Sequence, residues 1–381
     1  FSLYPGVSVQ GIVRFYLQEL RPVFRLYASP VNIDPASPAL PISTPPRLSH
    51  DLCCDLGPFY TQGMPEETKA LRWGIFNDEE FLDQAYSILR ESNAILDHEL
   101  TRFRGRSGLC FFYFSTIDQC SHVLWRTQDA AHAAHRGDFS ERLKESVPAM
   151  YQEMDRALGR VFEEVDGRTT LIVMSDHGFA PFSRAVHLNN WLAENGYLTL
   201  YDPARPAGKH LKSDVDWSRS RAYALGFNGI YLNLFGRQPG GIVTERERHA
   251  VIDDIAAKLL AWRDPKNQEL IIKRVYRPEE IFSGAYLLDA PDLIVGYARG
   301  YRASWDTPIG RFGPVPLEDN HDVWSGDHLM AAEDVPGVLL SNRPILKAAP
   351  SLLDMPVTIL DLFGIPRPDV MTGTSVFQAE K

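Results

Sequence analysis

From Asp78 to about Arg102, apolar side chains return every third or fourth position: Phe81, Leu82, Tyr86, Leu89, Ile95 and Leu96. Three acids, Asp78, Glu79 and Glu80, open the stretch. That period and that charged first turn predict one long amphipathic helix. The pattern then changes. Leu109-Cys110-Phe111-Phe112-Tyr113-Phe114 is apolar without alternation, and Thr169-Thr170-Leu171-Ile172-Val173-Met174 repeats the pattern. Runs of this length predict strands buried on both faces. A stretch rich in Ala, Glu, Arg and Leu over about 140–165 predicts a helix between them. Beyond lie a helix near 245–263, strands at Leu293-Ile294-Val295 and Gly337-Val338-Leu339-Leu340, and a last helix over about 354–363.

Buried strands alternating with helices predict an α/β fold, a largely parallel sheet with helices on both faces. The first 70 or so residues break this rhythm. Prolines at 30, 35, 38, 41, 45 and 46 preclude a long helix or a central strand. Only Phe24–Tyr27 reads as a short strand. Residues 1–75 are therefore expected to form an insertion or cap, and 76–381 an α/β core.

Composition narrows the function classes. The 381 residues carry a net charge of -10, which argues against nucleic acid as a general partner, because phosphate backbones require clustered Lys and Arg. A small phosphate substrate stays open, since bound metal ions can supply local positive charge. The four cysteines, Cys53, Cys54, Cys110 and Cys120, form no C-x-x-C pair, so they read as reduced thiols and not as a zinc knuckle. The apolar runs are too short for a transmembrane span. The chain opens on Phe1 in what reads as folded sequence, so a signal peptide upstream remains possible. The compartment stays open, with the cytoplasm slightly favoured.

The chemistry-bearing residues fall at strand ends. The first apolar run leads into Asp118 and His122, four positions apart and on one face if the segment coils into a helix. The second leads into Ser175-Asp176-His177-Gly178, where the glycine lets the chain leave the pleat so that two adjacent side chains converge. A third cluster, Trp324-Ser325-Gly326-Asp327-His328, lies in a loop ahead of the last strand. Each has a plain structural reading: an N-capping Asp with a surface His, a turn, a solvated loop. Together they are more specific. In parallel sheets, ligands bind beyond the carboxyl ends of the strands. Asp118, His122 and His328 would make a three-ligand centre with an open position, with Asp327 a candidate to orient His328. Asp176 and His177 would supply half of a second centre. Two metals about 3.5–4 Å apart can clamp a phosphoryl group.

Asp118-x-x-x-His122, Ser175-Asp176-His177-Gly178 and Gly326-Asp327-His328, in that order, resemble the alkaline phosphatase superfamily, closest to its type I phosphodiesterase/nucleotide pyrophosphatase branch. The segments Gly226–Asn233, Ala290–Tyr297 and Val335-Pro336-Gly337 look like a bacterial subgroup of predicted phosphohydrolases. The resemblance covers roughly 80–375. It implies a three-layer α/β/α sandwich and a metal-dependent phosphoester hydrolase acting on a small phosphate ester. It implies two divalent cations, zinc above manganese, with Asp118, His122 and His328 on one and Asp176 and His177 on the other. It also implies a first strand ending in Asp and a Thr or Ser nucleophile before the first metal motif. Asp34, Asp51, Thr44 and Thr61 sit in proline-rich sequence without a preceding buried strand, so neither piece is placed. The expectation is that they lie upstream of Phe1, in a segment or chain that completes the site. A phosphomutase-like transferase and a metal-binding pseudoenzyme are the alternatives.

The remaining features receive structural expectations. Arg102, Arg104 and Arg106 are read as a solvated turn, and His132 and His135 as surface residues of an alanine-rich helix. His50, His187 and His321 are read as structural.

Overall fold

The computed structural model describes residues 2–4, 7–204 and 206–378. It divides into two compact units, residues 1–167 with 322–324, and residues 168–321 with 325–381.

In the first unit, strands β1 (Phe15–Glu19) and β2 (Arg25–Ala28) form an antiparallel hairpin. Tyr16 and Tyr27 from this hairpin close on Phe76, with ring centroids 5.3 and 4.5 Å apart. The expected strand at Phe24–Tyr27 is therefore present, one residue later. The long helix also forms, as α1 (Asp78–Phe103). Asn77 and Glu80 make a capping box at its start, satisfying N–H groups that no helical carbonyl reaches. Asp78 is buried in the first turn and pairs with Arg126 and Arg136. Helices α2 (Thr116–Gln128) and α3 (Ser146–Glu164) pack with α1 around Phe81, Leu82, Leu89, Cys120, Leu124 and Met150. The helix expected over 140–165 is broken at Glu145, a short turn of helix preceding α3. All four cysteines are free thiols.

One expectation fails here. Leu109–Phe114 forms no regular element and pairs with no strand among the described residues. Leu109, Phe111 and Tyr113 are 59%, 67% and 60% exposed. An apolar run shows what a segment would bury, but a strand also needs a neighbour to complete its ladder. His132 is a second correction. It lies in a turn beyond α2, is buried, and accepts the N–H of Ala134 at 3.1 Å. His135 is half-buried, its Nδ1 2.8 Å from the Arg126 carbonyl.

In the second unit, β3 (Ile172–Met174) covers the end of the second apolar run. Next come β4 (Ala180–Val186), β5 (Ala222–Leu225), β6 (Gly229–Leu232) and helix α4 (Glu245–Ala261). They are followed by β7 (Ile272–Tyr276), β8 (Leu293–Tyr297), β9 (Gly300–Ala303) and β10 (Leu317–Asp319). The unit ends with β11 (Gly326–Asp327), β12 (Leu339–Ser341) and α5 (Asp354–Leu362). One antiparallel sheet runs β7-β8-β6-β5. A second centres on β4, with β9 parallel on one side and β10 and β11 antiparallel to it. β3 pairs only with β12 among the described residues. The apolar core gathers Leu188, Trp191, Ile230, Leu232, Ile255, Leu293, Tyr297 and Phe312.

The chain is thus α/β with several sheets, but the largely parallel sheet does not emerge. Among the described residues β4–β9 is the one parallel pairing of strands, beside two isolated parallel bridges, Leu234–Val243 and Phe235–Gln238. The reason is local. A tight turn at Gly226 closes β5 on β6, and the two apolar runs expected to lie in a parallel sheet take no parallel strand neighbour among the described residues. No described helix is long and apolar enough to cross a membrane.

Candidate metal centre

In the first unit, α2 begins directly after the apolar segment Leu109–Phe114 and Ser115, which places Asp118 in its first turn and His122 one turn on. Residues four apart share a helix face. Asp118 Oδ1 lies 3.6 Å from His122 Nε2, and both side chains are largely buried. Gln119 donates to the other carboxylate oxygen of Asp118 at 2.7 Å. The His122 ring stacks on Trp324, centroids 3.9 Å apart. The imidazole is therefore held flat against an indole with Nε2 turned to a carboxylate, an arrangement suited to a cation between them.

Glu66 sits behind this pair. It is buried and accepts the Thr116 hydroxyl at 2.7 Å, pinning the first residue of α2. Burial pushes its carboxyl up from the ordinary range, an effect the Thr116 bond opposes. Cys120, on the same turn, is fully buried, and burial lifts its thiol well above the usual value. It packs as an apolar side chain and not as a nucleophile.

In the second unit, the turn Ser175–Phe179 links β3 to β4. Gly178 meets Val335-Pro336-Gly337 at close range: its N–H donates to the Val335 carbonyl at 2.9 Å, and a Cβ there would lie 2.5 Å from the Pro336 carbonyl oxygen. Gly337 is equally constrained, because its Cβ would fall 2.7 Å from the Ser175 carbonyl oxygen. This clamp lets Asp176 and His177 converge. His177 Nε2 stands 3.5 Å from Asp176 Oδ2, while Nδ1 lies 3.1 Å from the Gly178 carbonyl. A carbonyl contact of that kind fixes the tautomer with the proton on Nδ1 and leaves Nε2 as the electron-pair donor.

Register explains the next neighbour. β11 pairs antiparallel with the start of β4, Gly326 opposite Pro181 and Asp327 opposite Ala180. Continuing that ladder brings His328 alongside the turn before β4. Its ring stacks on His177 with centroids 3.5 Å apart and planes 11° apart, and meets Phe179 edge-on. Asp327 reaches the backbone beside His328. Its Oδ1 accepts the backbone N–H groups of His328 and Leu329 at 2.8 and 3.0 Å, and its Oδ2 pairs with Arg302 at 2.7 Å.

Each sequence cluster therefore closes up locally. Asp118 meets His122 in the first unit, and Asp176, His177 and His328 gather in the second. Trp324, Glu66 and Arg302 were not picked out in the sequence. Trp324 at least lies within the third motif, whereas Glu66 and Arg302 have no local signal. His187 is structural, its Nε2 2.8 Å from Glu318, and His50 meets the Ala36 carbonyl. Arg102 and Arg104 pair with Glu99 and Glu164.

Comparison with known proteins gives one result. The family model "Type I phosphodiesterase / nucleotide pyrophosphatase" matches residues 43–322. No curated protein matches the chain.

Proposed function

As the chain belongs to the type I phosphodiesterase/nucleotide pyrophosphatase family, part of the alkaline phosphatase superfamily, we propose that it is a hydrolase of small phosphate esters working with two divalent cations. Asp118, His122 and His328 hold one cation, and Asp176 and His177 supply part of the shell of the other. Mixed carboxylate and imidazole donors suit zinc and also accept manganese.

The observation that carries the reading is a repeated pairing. Twice a carboxylate oxygen and an imidazole Nε2 face each other across about the span a cation bridges, 3.6 Å at Asp118–His122 and 3.5 Å at Asp176–His177. His328 is assigned to the first set on the superfamily resemblance of Gly326-Asp327-His328.

When bound, the cations supply positive charge to phosphoryl oxygens and lower the pKa of an attacking hydroxyl. The chain's own part is to present donors without reorganisation. Trp324 fixes the plane of His122, and the Gly178 carbonyl sets the tautomer of His177. We assign the attack to a Thr or Ser hydroxyl, as the superfamily resemblance implies, and not to Cys120, whose thiol is buried and held protonated.

Metal content of the purified chain, measured by mass spectrometry beside the Asp118→Ala/His328→Ala double variant, tests the reading. Wild type is expected to retain zinc or manganese that the double variant loses. A wild-type chain that binds neither metal at micromolar concentration overturns it.

A further inference from the structure

We propose that Arg302 positions His328, acting through Asp327. This rests on the reading of His328 as a metal ligand. Arg302 and Asp327 are both buried, 3% and 2% exposed, and their side chains form an ion pair of 2.7 Å. A charged pair taken out of water gives up its hydration, so its survival in a core calls for a compensating role. Here the pair is built in on every side. The guanidinium lies over Phe182, Phe227 and Trp305, at 5.0, 4.9 and 4.2 Å from the ring centres, and Nη1 donates to the Ala303 carbonyl at 2.9 Å. Arg302 is on β9 and Asp327 on β11, the strands flanking β4, and β4 contributes Phe182 to the stack.

Asp327 turns this fixed charge into a fixed backbone. One carboxylate oxygen faces Arg302, while the other accepts the N–H groups of His328 and Leu329. The loop that carries the imidazole is thereby tied to a guanidinium held rigid by three rings. Without Arg302, the Asp327 carboxylate loses the partner that fixes its second oxygen, and its grip on the two N–H groups loosens. Lysine does not replace the arginine, since a point charge on a flexible stem has neither the planar face nor the fork. Outer groups that orient a ligand typically change metal affinity about 10- to 100-fold.

The test is equilibrium zinc and manganese binding to wild type, Arg302→Met, Arg302→Lys, His328→Ala and the Arg302→Met/His328→Ala double variant, with circular dichroism checking the fold. Arg302→Met is expected to weaken binding about 10- to 100-fold, Arg302→Lys less. The double variant should bind no more weakly than His328→Ala alone, because the arginine acts through that histidine. In Co2+-loaded protein, Arg302→Lys should also shift the visible absorption of the metal, which keeps a test in hand where Arg302→Met does not fold. If His328→Ala loses metal while both Arg302 variants bind as wild type, the inference fails and the metal reading stands. An equal loss from Arg302→Met with and without His328 overturns it as well, because the effect is then general destabilisation. If His328→Ala binds metal normally, the ligand assignment itself falls.

Discussion

At the scale of single residues, the chain uses buried polar groups as supports for the candidate metal ligands. Glu66 holds the start of α2 through Thr116, and Arg302 holds the loop of His328 through Asp327. Glu66 gives a pH prediction. Its folded-state carboxyl is raised above the ordinary range by burial, so the folded protein binds its proton more tightly than the unfolded chain does. The associated stability is complete below the ordinary carboxylate range and is lost as pH rises through the higher folded-state value. Glu66→Gln keeps an acceptor for Thr116 without the charge. Thermal midpoints from pH 4 to 8 are expected to fall less with rising pH in this variant than in wild type, and at pH 8 the variant should be the more stable. Identical pH profiles would show that Glu66 ionises without cost.

Elements differ in how fully the sequence announces them. Helix α1 was legible because its period and acidic first turn are local features, whereas its Asn77 cap emerged only in the structure. The convergence of Asp118 with His122 was legible for the same reason, as one helical turn joins them. The contact of His328 with His177 depends on the pairing of β11 with β4 across a long stretch of chain, and no local pattern encodes it. The largely parallel sheet is not recovered among the described residues, because an apolar run specifies neither a neighbour nor its direction, and Leu109–Phe114 lies largely exposed. The turn between β3 and β4 has its own prediction. Gly178→Ala puts a methyl group 2.5 Å from the Pro336 carbonyl oxygen, between two backbone segments with little room to part. Overpacking of this kind costs about 1–3 kcal/mol, to be read from denaturant unfolding, and the displaced Asp176 and His177 should bind metal more weakly. Unchanged stability would mean that the 335–337 segment yields easily.

Across the whole molecule, the acidic net charge of -10 makes the proposed metal site a local exception, in which cations must provide the attraction for a phosphate that the protein's own field would repel. Composition gave that contrast directly. It did not give the supports: Arg302 and Glu66 are ordinary charged residues in sequence, and only tertiary partners make them significant.

The segment Leu109–Phe114 carries a practical consequence. It presents a row of large apolar side chains at alternate positions, Leu109, Phe111 and Tyr113, a surface that favours association between chains. The expected outcome is concentration-dependent self-association through this row. Light scattering should rise with concentration and time, and Phe111→Lys, which places a charge on the exposed row, should delay it without moving the thermal midpoint. If scattering is the same in both proteins, self-association starts at some other surface.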